Sequence, residues 1–82
     1  MEVLLSKQAL KFVRKQENKI QQRIYAALIG LEEIPPVGDI KKLKGVDETY
    51  RLRVGTFRII YTADFEKVVI KVVTIDNRGD IY

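Results

Sequence analysis

Tyr50-Arg51-Leu52-Arg53-Val54-Gly55-Thr56-Phe57-Arg58-Ile59-Ile60-Tyr61 is the stretch whose reading decides the fold. Two alternating runs flank a Gly-Thr pair, the pattern of a β-hairpin with a two-residue turn. Glycine at the first central position suits a type II′ turn. That turn sets a register: Val54 opposite Phe57, Arg53 opposite Arg58, Leu52 opposite Ile59, and Arg51 opposite Ile60. Strand side chains alternate, so Tyr50, Leu52, Val54, Phe57, Ile59 and Tyr61 line one apolar face. Arg51, Arg53 and Arg58 share the other. Two arginines directly opposed repel each other. With no acid between them in the hairpin, this face is expected to receive an anion.

Upstream, Glu2 to Leu5 reads as a short strand, and Ser6 can cap the helix after it. Leu10, Val13 and Phe12 supply that helix with apolar positions. Gln16-Glu17-Asn18 is a polar break, with Asn18 as a second N-cap. A longer helix then places Ile20, Ile24, Ala27, Leu28, Leu31 and Ile34 at helical spacing, and Pro35-Pro36 ends it. Val37 to Asp47 reads as a loop punctuated by Gly38 and Gly45, carrying Lys41, Lys42 and Lys44.

Downstream, Ala63 to Lys67 is a turn signal and Lys67 to Ile75 a valine-rich strand. A tight closure there would set Ala63 against Val68, Tyr61 against Ile70, Ile60 against Lys71 and Arg58 against Val73. Lys71 would then join the arginine face. The order is strand, helical hairpin, then three antiparallel strands. This predicts an α+β fold, with a short N-terminal strand and a helical hairpin packed on an antiparallel β-sheet. The helices can cover only one sheet face, which leaves the arginine face open. Residues 1–82 form one domain, since 82 residues support a single small core.

Composition narrows the chemistry. There is no cysteine and no histidine. Disulfides and thiolate metal sites are excluded, as are the usual metal ligand and the usual neutral-pH base. No cofactor and no metal are expected. Catalysis would have to draw on Tyr, Lys, Arg, Asp or Glu. The net charge of +4 is uneven: residues 41–82 hold nine basic and six acidic groups. Such a patch favours nucleic acid or an acidic protein partner. No apolar run approaches the roughly 20 residues that span a bilayer. The N-terminus lacks the layout of a signal peptide. A cytoplasmic location and no membrane partner are expected.

Taken in order, these pieces resemble a toxin of the RelE/ParE superfamily of toxin–antitoxin systems. The resemblance rests on the helical hairpin, the basic loop with Leu43-Lys44-Gly45, and the hairpin from Tyr50 to Tyr61. It also rests on a tail of Arg78-Gly79-Asp80-Ile81-Tyr82. Within the superfamily the chain is similar to the RelE branch, whose members cleave mRNA in the ribosomal A site. The resemblance implies a ribosome-dependent mRNA interferase partnered by a cognate antitoxin. It implies that Arg58 stabilises the scissile phosphate, Arg78 assists the leaving group and Tyr82 takes the proton from the 2′-hydroxyl. Arg51 and Arg53 stand where the family contacts the RNA backbone, and Lys44 and Lys71 add to that set. Many relatives carry a Gly-His pair where Asp76 and Asn77 stand here, and a lysine in place of Gly79. A ParE-like toxin that inhibits gyrase, and a degenerate toxin that only binds its antitoxin, are the alternatives.

Overall fold

The computed structural model describes residues 1–77, and its elements follow the expected order with one addition. They are β1 (Glu2–Leu5), α1 (Lys7–Arg14), α2 (Asn18–Gly30), β2 (Asp39–Lys42), β3 (Thr49–Val54), β4 (Phe57–Asp64) and β5 (Val69–Asn77). The added strand, β2, lies inside the expected loop. Asp39-Ile40-Lys41-Lys42 has no β-branched alternation to announce it, and only pairing with β3 makes it a strand. The fold is α+β.

The sheet runs β1-β5-β4-β3-β2. Strands β3 to β5 pair antiparallel, as expected, and the added β2 pairs antiparallel to β3, while β1 pairs parallel to β5 and makes the sheet mixed. Parallel pairing requires a crossover connection, and the helical hairpin is part of it. The β3–β4 register is the expected one, from Val54 opposite Phe57 to Tyr50 opposite Tyr61. Gly55 takes φ +60, as the first central residue of a type II′ turn must.

The β4–β5 register differs from expectation. Ala63 sits opposite Ile70 and Asp64 opposite Val69. The Asp64 side chain accepts hydrogen bonds from the backbone N–H of Glu66 and Lys67, at 3.1 and 3.0 Å, and holds the loop in this shape. Relative to a pairing of Ala63 with Val68, the strand has slipped by two residues. A two-residue slip keeps each side chain on its face. A β-bulge then inserts Val73 between Tyr61–Val72 and Ile60–Thr74. Arg58 therefore meets Asp76, not Val73.

The bulge is held by α1. Ser6 caps the helix by accepting from Ala9 N–H at 3.1 Å, and its hydroxyl donates to the Val73 carbonyl at 2.6 Å. Gln8 continues the work of β1 with a side chain: its amide donates to the Ile75 carbonyl and accepts from Ile75 N–H, both at 3.1 Å. The backbone groups of β5 are thus paired past the end of its neighbour.

Two helix boundaries depart from expectation. The N-cap of α2 is Glu17 rather than Asn18, and no side chain caps it. The end of α1 is instead satisfied by Gln21, whose amide donates to the Val13 and Arg14 carbonyls. Helix α2 stops at Gly30, so Ile34 lies beyond it and is exposed. Val37 N–H donates to the Gly30 carbonyl at 2.9 Å, which folds the following loop back over the helix end.

The helices cover one sheet face. Ala9, Val13, Ile24, Leu28 and Leu31 pack with Leu52, Ile59, Tyr61, Ala63, Ile70, Val72 and Ile75 in one buried cluster. Phe57 is buried beside it, edge-on to Phe12 at 5.9 Å between ring centroids. Each fully buried branched side chain contributes roughly 1.5–3 kcal/mol. Tyr50, Val54 and Phe12 pack at the margin of the cluster.

Candidate functional site

Alternation along β3 and β4 sends Leu52, Phe57, Ile59 and Tyr61 into the core, so Arg51, Arg53 and Arg58 must project from the opposite face. Arg53 stands directly across from Arg58. The expected convergence of three arginines is present.

The outer strands bring acids that the hairpin lacks. One row across the sheet reads Asp39, Arg53, Arg58, Asp76 through β2, β3, β4 and β5. The next row reads Lys41, Arg51, Ile60, Thr74. Arg58 Nη2 lies 3.1 Å from Asp76 Oδ2, and both side chains are about one-third exposed. Asp39 leans diagonally to Arg51, at 3.8 Å, and is mostly exposed. Arg53 forms no ion pair with another described residue. Here the expectation of an uninterrupted cationic face is corrected: the row containing Arg58 is flanked by one carboxylate at each end.

These ion pairs do not saturate the guanidinium groups. Arg51 Nη1 and Arg58 Nε are buried without a hydrogen-bond partner among the described residues. An N–H withdrawn from water with no acceptor is costly, and an incoming anionic oxygen relieves that cost. Beside them, Lys41, Lys42, Leu43, Lys44, Arg51 and Arg53 line a hollow of about 480 Å³. Lys44 thus stands beside Arg51 and Arg53 on the rim of one hollow.

Lys71 shares the face but not the cluster. It pairs with Thr62 rather than Ile60, and lines a separate hollow with Leu4, Asp64 and Lys67. Thr62 is four residues from Arg58, which is about 13 Å along the strand. Arg78 and Tyr82 lie outside the described residues.

Tyrosines within the described sheet are unsuited to act as bases. Tyr61 stacks on Tyr50 at 5.3 Å between centroids. Burial, and then the neighbouring Tyr50, push the Tyr61 phenol up to about 12. The Tyr50 phenol is also raised, first by desolvation and then by Glu48, whose carboxylate accepts its hydroxyl proton in a hydrogen bond of 3.1 Å. Among the described residues no acid cluster is arranged to hold a metal ion. The arrangement can bind and neutralise a phosphodiester, with contacts from several rows of the sheet at once.

Asp39 and Asp76 are the site residues that sequence reasoning missed. Asp76 was visible only as a departure in the tail, because the bulge that aligns it with Arg58 has no sequence signal.

Residues 3–82 match the family model described as the ParE toxin of the type II toxin–antitoxin system parDE. The chain belongs to this family. The toxin's fold is similar to that of RelE proteins. Over 95% of this chain and 94% of that one, it matches the RelE–RelB complex of Pyrococcus horikoshii OT3, with a TM-score of 0.82 and 29% identity. The E. coli RelBE complex matches over 93% of this chain and 94% of that one, with a TM-score of 0.76 and 27% identity. In sequence, the toxin is 43% identical over 44 residues to the Methanocaldococcus jannaschii protein named "Putative toxin RelE1". That alignment covers 54% of this chain and 49% of the relative, so the chain spans about half the length of the curated protein it matches. The toxin is thus a member of the RelE/ParE superfamily, as its sequence resemblance implies.

Proposed function

We propose that the toxin is an endoribonuclease that cleaves mRNA in the ribosomal A site, without a metal ion, and is held inactive by a cognate antitoxin. The observation that carries this reading is the opposed Arg53–Arg58 pair on a sheet face that no described helix covers. The solved complexes of RelE with RelB support the antitoxin partner. The reading implies action in the cytoplasm, where ribosomes are.

In the reaction, the RNA's own 2′-oxygen loses a proton and bonds to phosphorus. The bond to the 5′-oxygen breaks, and that oxygen takes a proton. A 2′,3′-cyclic phosphate and a 5′-hydroxyl result. Arg58 neutralises charge on the pentavalent phosphorus, where preorganised donors contribute most. Its planar fork suits phosphate oxygens. Arg51, Arg53 and Lys44 hold the flanking backbone. Tyr82 takes the 2′-proton and Arg78 assists the leaving oxygen. Lys71, displaced along the sheet, contacts the strand only at a distance from the scissile phosphate. With no imidazole in the chain, positioning by the ribosome supplies much of the rate.

Primer extension on mRNA from cells induced for the parent and for Arg58→Ala tests the proposal. Cleavage within translated codons by the parent alone is the expected result. Growth arrest without cleavage would move the function to gyrase inhibition. Absence of both, with antitoxin binding intact, would mark a degenerate toxin.

A further inference from the structure

The ion pair between Arg58 and Asp76 engages one donor of the same guanidinium that the proposed reaction needs. Asp76 is fixed there by backbone, not by chance of rotamer. The β4–β5 register and the Val73 bulge set it directly across from Arg58, and Ser6 and Gln8 hold that part of β5 in place. Its carboxylate occupies Nη2 at 3.1 Å, one of the donors a phosphate would use, and it adds a negative charge beside the phosphate's own position. Arg53, the other cation of the row, carries no such partner among the described residues.

We propose that Asp76 is a specificity-determining residue, a carboxylate that keeps Arg58 from engaging free polyanions. Only a phosphodiester that is also held elsewhere displaces it. An RNA strand seated along Arg51, Arg53 and the lysine-lined hollow meets that condition through its flanking phosphates, and a loose RNA or a lone phosphate ion does not. This inference rests on the proposed nuclease reading for its substrate class, and it concerns binding, so it is separable from cleavage.

The test is titration of a short RNA whose 2′-hydroxyls are methylated, which blocks the attack and leaves only binding. Four proteins are compared at one fixed low salt concentration: parent, Asp76→Asn, Arg58→Ala and the double variant. Asp76→Asn keeps the shape of the side chain and removes its charge. It is expected to tighten binding by about 3- to 5-fold, the upper part of the range for one partly exposed ion pair released. In the Arg58→Ala background the same substitution is expected to change affinity less than about 2-fold. Asp76→Glu, which restores the charge, should return binding towards that of the parent. The Arg58 side-chain N–H resonance in the parent gives a second readout, independent of RNA. It should be unmoved by inorganic phosphate at concentrations that shift it in Asp76→Asn.

An unchanged affinity in Asp76→Asn overturns the proposal. So does a gain of equal size without Arg58, since that would reflect net charge alone. If the double-variant cycle behaves as expected while the parent fails to cut ribosome-bound mRNA, the nuclease reading falls and the role of Asp76 stands. Cleavage by the parent with a flat binding cycle has the opposite meaning.

Discussion

Arg58 and Asp76 face each other across β4 and β5, with Nη2 3.1 Å from Oδ2, and Arg53 stands on the other side of Arg58. The central cation of the site is therefore balanced between a like charge and an opposite one. Removing it deletes a repulsion and an attraction together.

Arg58→Ala should accordingly leave stability within about 1 kcal/mol of the parent, because the ion pair is partly exposed. It should abolish mRNA cleavage. Thermal melting and primer extension on the same preparation separate the two effects, and a large fall in melting temperature would show that the pair is structural.

Tyr82→Phe removes only a hydroxyl. If that phenol takes the 2′-proton, cleavage should fall by about 10²–10⁴-fold with the melting temperature unchanged. Undiminished cleavage would place the base elsewhere.

Ser6→Ala should cost about 1–2 kcal/mol, since one hydroxyl both caps α1 and donates to the bulge carbonyl of Val73. Gln8→Ala should cost a similar amount by leaving both polar groups of Ile75 without their partner. Denaturant unfolding of each variant checks the magnitudes.

Gly30→Ala should destabilise the protein, although alanine is ordinarily the better helix residue by about 1 kcal/mol. A β-carbon there would stand 2.5 Å from the carbonyl oxygen of Val37, whose N–H is itself tied to the Gly30 carbonyl. Val68→Gly should act in the opposite direction. Val68 holds φ +59, a region that costs a β-branched residue roughly 1–2 kcal/mol and costs glycine almost nothing. Melting curves that rank Gly30→Ala above the parent would show that the loop yields.

Tyr61 should give a pH signature. Its phenol is raised from 10.0 to about 12 in the folded protein. Below pH 10 both folded and unfolded chains keep the proton and the stabilisation is complete. Between pH 10 and 12 the unfolded chain releases the proton first, so stability falls by up to about 1.4 kcal/mol per pH unit from this group. Absorbance titration should show Tyr61 ionising late, and Tyr61→Phe should flatten the loss.

Local chemistry made the central hairpin legible. Gly55 sets the turn, the turn sets the register, and alternation divides the arginines from the core. All of this lies within twelve consecutive residues, where few alternatives compete. The Ser6 cap and the core stripe of Ile24, Leu28 and Leu31 were readable for the same reason, from contacts within one helical turn or repeat. The end of α2 was not. Ile34 continues the helical spacing, but the fold-back of Val37 onto Gly30 decides where the helix stops.

What the sequence by itself determined was that Arg51, Arg53 and Arg58 share one face; what only the tertiary structure decided was the company they keep. Asp39 reaches that face because a segment with no strand pattern pairs with β3. Asp76 reaches it because a slipped loop and one inserted residue re-align β5 against β4. Strand parity is a local property, carried by each residue's neighbours in the chain. Pairing between distant strands is settled by hydrogen bonds and packing gathered from Ser6, Gln8 and Asp64 at once, and no single stretch of sequence contains them all.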